Sequence, residues 1–181
     1  MADDPLAWET MASEIDYSCP GFAVRRDAVR LPDGTVTDYH HVDESPAVVI
    51  LPLTPEGDVV VIEEWRQAVG RVNRGLPAGS VEGGEDRFDA ARRELREETG
   101  YEAGSLEHLL STEPSNGIAN SVHHHFVAHD CTPTAEQDLD DNESIRVDVT
   151  DYDDYLASVV DDELDDGRAA LAVSYYELTQ R

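Results

Sequence analysis

A chain of 181 residues suits one domain, or one domain with a small appendage, and is too short for a tandem architecture. Its 40 acidic residues against 13 basic ones give a formal charge of −27, which makes nucleic acid a poor partner. Hydrophobic residues at 40%, gathered into runs such as Ala47-Val48-Val49-Ile50-Leu51, exclude a disordered acidic tail and imply a buried core.

The acid excess is spread from Asp3 to Glu177, and every basic residue is Arg. This dispersion resembles proteins of salt-loving organisms, in which concentrated salt screens self-repulsion. The start, Met1-Ala2-Asp3-Asp4, has neither the basic region nor the apolar stretch of a signal peptide, and no apolar run approaches a membrane span. A cytoplasmic location without membrane contact is therefore expected. Cys19 and Cys131 have neither metal-ligand nor redox-motif spacing and read as ordinary thiols.

In chain order, Phe22 to Leu31 and Val36 to Val42 read as strands joined at Pro32-Asp33-Gly34, which predicts an N-terminal β-hairpin element over residues 1–45. The main domain then occupies residues 46–181. Buried-strand patterns follow at Ala47 to Leu53 and Asp58 to Glu64, separated by a Pro55-Glu56-Gly57 turn. After Glu82-Gly83-Gly84, a segment of good helix formers runs from Asp86 to Thr99, with Asp86 placed to cap its start and Gly100 to end it in the left-handed conformation. Strands are expected at Leu106 to Thr112, Val122 to His129 and Ile145 to Val149, and helices at Tyr152 to Asp162 and Arg168 to Leu178. This order implies an α+β domain, a mixed sheet layered between helices.

On the helix predicted at residues 86–99, Phe88, Ala91 and Leu95 form an apolar stripe, and Glu94, Glu97 and Glu98 gather on the other side. Residues three and four apart on a helix have Cβ atoms about 5–6 Å from each other. Carboxylates that close repel unless cations sit between them, and oxygen-only ligands favour Mg²⁺ or Mn²⁺ over zinc. Mg²⁺ also binds through a few carboxylates together with substrate phosphates, so the spacing itself suggests a phosphate-bearing substrate.

The spacing extends further. Gly79, Glu85, Arg93, Glu94, Leu95, Glu97, Glu98 and Gly100 match position for position the signature box of the Nudix hydrolases, which this chain resembles; only Tyr101 departs, where an aliphatic residue is usual. The resemblance implies the Nudix fold, a mixed β-sheet between α-helices, and hydrolysis of a nucleoside diphosphate linked to another moiety. It further implies that Glu94, Glu97 and Glu98 ligate catalytic divalent ions together with the main-chain carbonyl of Ala78. Arg93 would orient neighbouring carboxylates, and Glu85 would bind metal loosely or hold the loop.

Around the box, Leu76-Pro77-Ala78-Gly79, Glu64-Trp65-Arg66-Gln67 and the segment Val24 to Gly34 are similar to the ADP-ribose pyrophosphatase branch. That likeness implies a homodimer built through the N-terminal strands. It also implies substrate contacts from Arg66 and from a proline-containing loop at Pro114-Ser115-Asn116-Gly117, with Trp65 either a core anchor or an adenine platform. Gly75 stands where the branch commonly carries Glu. The acidic loop before Ile145 offers Glu143 as a further metal ligand or the general base, with Asp141 the alternative; His123, His124 and His125 alternate along a strand and cannot all face one ion.

The implied reaction is attack of a metal-activated water on one phosphorus, with Glu97, Glu98 and Glu143 as catalytic groups. ADP-ribose, split to AMP and ribose 5-phosphate, is the expected substrate, and another nucleoside diphosphate sugar or a nucleoside triphosphate the alternative. A Nudix-fold protein that senses a nucleotide without cutting it is the competing class.

Overall fold

The computed structural model describes residues 4–161, 163–164 and 166–180. The chain falls into two units, one formed by the segment up to Pro46 with Glu113–Val122, the other by Ala47–Thr112 and the chain from His123 onward.

The first unit is an antiparallel sheet of β1 (Glu9–Ser18), β2 (Ala23–Arg30) and β3 (Val36–Asp43), in that order. The predicted hairpin is β2–β3, turned by a Leu31 to Thr35 loop in which Gly34 takes φ 88°. β1 adds a third strand that its sequence signalled weakly, because all ten of its residues are exposed and no buried face imposes a pattern. Arginines of β2 lie among acids of the flanking strands: Arg25 with Asp43 at 2.8 Å, and Arg26 beside Glu14, Asp16 and Asp38. The exposed pairs of Arg26 are each worth about 0–1 kcal/mol. The segment 113–122 joins this unit through Val42 N to Ile118 O and Asn120 N to Val42 O.

The second unit carries β4 (Ala47–Pro52), β5 (Val59–Arg66), β6 (Arg71–Gly75), β7 (Ala78–Ser80), α1 (Arg87–Thr99), β8 (Tyr101–Glu102), β9 (Ser105–Thr112), β10 (His123–His129), β11 (Thr132–Pro133), β12 (Ile145–Thr150), α2 (Tyr152–Val160) and α3 (Gly167–Thr179). A mixed sheet runs β7-β4-β10-β9, with β4 and β10 parallel, and an antiparallel sheet runs β12-β5-β6. The β-branched runs of β4 and β5 are buried on both faces, as in strands covered from two sides. Val49, Leu51, Val59, Val61 and Val127 pack with Ala169, Ala172 and Val173 of α3, whereas Val48, Ile50 and Phe126 pack with Ala90, Ala91 and Leu95 of α1. Each fully buried Val, Leu or Ile contributes about 1.5–3 kcal/mol.

The α+β layering is the expected one, and the helix predicted over 86–99 is α1, capped by Asp86 and ended by Gly100 at φ 74°. The predicted helix from Tyr152 ends at Val160 with its cap at Asp161; Asp162 lies outside the described residues. Among the described residues, no helix is long and apolar enough to cross a membrane.

Candidate active site

β7, a turn and α1 bring the site together around one guanidinium. Arg93 donates to both oxygens of Glu85 at 3.0 Å, to Glu94 Oε1 at 2.8 Å, to Glu97 Oε2 at 3.1 Å and to the Ser80 carbonyl at 3.0 Å. Arg suits this place because its planar fork spans several acceptors at once. Glu85 is thereby tied to Arg93 and to Glu82 N, so it fastens the loop ahead of the helix.

The charged side of α1 is not a solvated face. Glu98 is 2% and Glu94 8% exposed, whereas Glu97 is half-buried. Burial pushes the Glu94 carboxyl up to about 7, against the opposing pull of Arg93. Burial likewise pushes Glu98 well above the usual carboxylate range, although its Oε2 accepts from Ala78 N at 2.8 Å. The structure thus assigns Ala78 a contact through its N–H.

Small residues permit this approach. A Cβ on Gly79 would lie 2.1 Å from Glu94 Cδ, so only glycine admits the carboxylate there. Gly100 needs its freedom twice, for its positive φ and because a Cβ would meet the Ala135 carbonyl at 2.3 Å. Thr134 N and Ala135 N bond to the Gly100 carbonyl, Gln137 Nε2 to that of Glu98 and Asp138 N to that of Glu97. These bonds anchor the segment leading to Glu143 on the end of the carboxylate helix.

The negative charge of Glu143 adds to the upward shift of Glu64, Glu94 and Glu98 alike, which puts it in one electrostatic neighbourhood with all three. Glu143 Oε2 accepts from Asp140 N at 3.0 Å, closing the turn before β12, while Asp141 is exposed. Glu64, 9% exposed, is the member that sequence reasoning missed; its signal was an acidic residue ending the apolar run Val59 to Ile62. Burial raises it too, against Arg66 and Arg168. Arg66 Nη2 stands 2.7 Å from Glu64 Oε2, which nonetheless makes no hydrogen bond.

A divalent cation fits this donor set chemically. Buried carboxylates whose burial disfavours their charged form, together with oxygen donors throughout, call for a compact positive charge. Among the described residues, no three His, Cys, Asp or Glu side chains form a ready cation cage, because Arg93 bridges Glu94 to Glu97 and Ala78 N holds Glu98. Loading therefore requires local rearrangement of those bonds.

Trp65 is 48% exposed, with Nε1 on Gln67 Oε1 at 3.0 Å, so it is no core anchor. Pro114 is in an exposed turn of the first unit. His124 bonds Ser111 Oγ at 2.7 Å, whereas His125 is buried and held down to about 4 by that burial.

Comparison with known proteins gives a consistent assignment. The NUDIX domain matches residues 43–170. The ADP-ribose pyrophosphatase of Bacillus subtilis (strain 168) is 31% identical over 97% of this chain and 95% of its own length. The methanol dehydrogenase activator of Bacillus methanolicus is 30% identical over 95% and 94%. A crystal structure of an ADP compounds hydrolase superposes with a TM-score of 0.81 at 20% identity, covering 94% of this chain and 92% of that one, a likeness of fold. With the box residues folded around Arg93 and a family match over most of its length, this chain belongs to the Nudix family.

Proposed function

We propose that the chain is a divalent-cation-dependent pyrophosphohydrolase that splits ADP-ribose into AMP and ribose 5-phosphate. The observation that carries this reading is the buried Glu94–Glu98 pair, pressed against Gly79 and Ala78 and charged further by Glu64 and Glu143. The end-to-end similarity to an ADP-ribose pyrophosphatase supports the choice of substrate.

Glu94, Glu97, Glu98 and the Ala78 carbonyl are the groups that would hold Mg²⁺ or Mn²⁺. When bound, the ion supplies an acidified water and neutralises charge growing on the phosphates. Glu143, on its turn beside the buried carboxylates, takes the proton as the water oxygen bonds to phosphorus and the bond to the bridging oxygen breaks. Glu97 and Glu98 keep the reacting groups in register, Arg93 and Glu85 hold the loop, Gly79 makes room for the Glu94 carboxylate, and Gly100 ends the helix. Arg66, with its guanidinium beside Glu64, and Trp65, with its exposed ring, would contact the nucleotide.

The chain acts as a homodimer in this reading, because β1 of the N-terminal sheet exposes Met11, Ile15 and Tyr17. Its charge suits a salt-rich cytoplasm. The test is a substrate panel with Mg²⁺ in molar KCl, resolving products from ADP-ribose, ADP-glucose, dinucleoside polyphosphates and dGTP. ADP-ribose should give the highest kcat/KM. A better dGTP or ADP-glucose turnover would overturn the substrate assignment, and tight binding of ADP-ribose without cleavage would overturn the enzymatic one.

A further inference from the structure

Asp166 caps the first turn of α3, accepting from Arg168 N at 2.9 Å, and the same carboxylate grips the Arg168 guanidinium at Nε (3.2 Å) and Nη2 (2.9 Å). The two-point grip fixes the guanidinium plane and leaves Nη1 outside it. The carboxylate stands where a side chain is missing: a Cβ on buried Gly75 would lie 2.7 Å from Asp166 Oδ2. Gly75 pairs with Ile62 across β5 and β6, so the volume it leaves belongs to the face of β5 that also carries Glu64. The charge of Arg168 is felt by Glu64, Glu98 and His125. Buried His125 Nδ1 makes no hydrogen bond among the described residues.

We propose that Arg168, locked by Asp166 in the space left by Gly75, is a phosphate-binding residue of the diphosphate cleft, contributed by α3 independently of the carboxylate helix. The inference rests on the pyrophosphohydrolase reading and names one of its substrate contacts. Carboxylates gathered at the site repel a diphosphate, so fixed cationic donors near them matter. Arg93 is committed to Glu85, Glu94 and Glu97. Among the described residues Arg168 Nη1 has no hydrogen-bond partner, and because Asp166 balances its charge, Arg168 acts through directed N–H groups that a lysine ammonium in the same grip would not reproduce.

The test is calorimetric titration of the full chain in molar KCl with inorganic pyrophosphate, once with Mg²⁺ and once with EDTA. Arg168→Gln and Arg168→Lys should each weaken pyrophosphate binding about tenfold, the loss of one charge-assisted hydrogen bond. Gly75→Ala, which changes no charge but pushes Asp166 aside, should weaken it several-fold and raise KM for ADP-ribose more than it lowers kcat. Arg96→Gln, on the exposed side of α1, should bind like the wild type. Circular dichroism identifies the variants that fold. Unchanged pyrophosphate affinity in the folded Arg168 variants, or in Gly75→Ala should those not fold, would overturn the proposal and leave Arg168 a helix-capping partner. Should the wild type prefer another diphosphate while Arg168→Lys still loses pyrophosphate, the substrate reading fails and the phosphate contact stands.

Discussion

Gly79→Ala adds one methyl group at the most crowded point of the site. Gly79 has no positive φ, so the backbone accepts alanine and the cost is entirely one of space. The new Cβ would lie 2.1 Å from Glu94 Cδ, and ordinary contact begins at 3.4 Å, so the carboxylate must retreat by about 1.3 Å. Glu94 is buried and bonded to Arg93, and overpacking of such a place costs about 1–3 kcal/mol. For a chain of this size that lowers Tm by about 2–4 °C per kcal/mol. Misplacing a catalytic group by about 1 Å costs about a hundredfold in rate. Turnover of ADP-ribose with Mg²⁺, read beside calorimetric melting in the same buffer, should therefore show a folded protein with kcat reduced about a hundredfold. Gly83→Ala, where a Cβ meets nothing within 4 Å, is the control and should be neutral. A folded Gly79→Ala enzyme with wild-type kcat would refute the claim that the Glu94 position governs catalysis.

Glu94→Gln and Glu98→Gln should each lower turnover by about two orders of magnitude or more without unfolding the chain, and near-native turnover in either would remove α1 from the metal assignment. Glu94 is raised from 4.5 to about 7 by burial, so the cation-free folded state binds more protons than the unfolded one between those values, and its contribution to stability is lost as pH rises through that window. In EDTA the melting temperature of Glu94→Gln should therefore fall less between about pH 5 and 7.5 than that of the wild type. Identical slopes would contradict the assignment. Mg²⁺ added near pH 6 should release protons, measurable by titration in buffers of different ionisation enthalpy. The melting temperature should also rise between about 0.1 and 2 M KCl, and a flat or falling trend would count against screening of the 40 acidic residues.

The box spacing placed Glu94, Glu97 and Glu98 on one helix and named both of its caps, because helical period and capping chemistry are local properties of the chain. It did not distinguish buried carboxylates from a solvated face: Glu94 and Glu98 are hidden by Ala78 and Gly79, residues of another strand. β6 and β7 were missed for a related reason, since Arg71-Val72-Asn73-Arg74-Gly75 carries little β-pattern and becomes a strand by pairing with β5. Gly75 could be noticed in the sequence as an absent carboxylate, but the Asp166 side chain that takes its space comes from α3, and no local rule connects the two positions. His125 shows the converse: alternation along its strand ruled out a shared ion with His123 and His124, while its burial followed only from the packing around β10.

Acid abundance and acid function are separable in this chain. Of its 40 acidic residues, only Glu64, Glu94 and Glu98 are buried among the described ones, and all three are raised by that burial. Exposed carboxylates are screened within a few ångströms in molar salt, whereas buried ones are screened far less. The salt that relieves the surface therefore leaves the demand of these three for a counter-charge largely intact. Potassium at that concentration competes weakly for oxygen donors that favour a small, hard divalent ion. Arg93 bridges Glu94 and Glu97 in the cation-free state, and because its guanidinium is also fixed to Glu85 and the Ser80 carbonyl, it can release Glu94 without leaving the site. Arg93→Lys, which cannot span those acceptors, should therefore weaken Mg²⁺ binding as well as turnover, and a Mg²⁺ titration showing wild-type affinity in that variant would confine Arg93 to holding the loop.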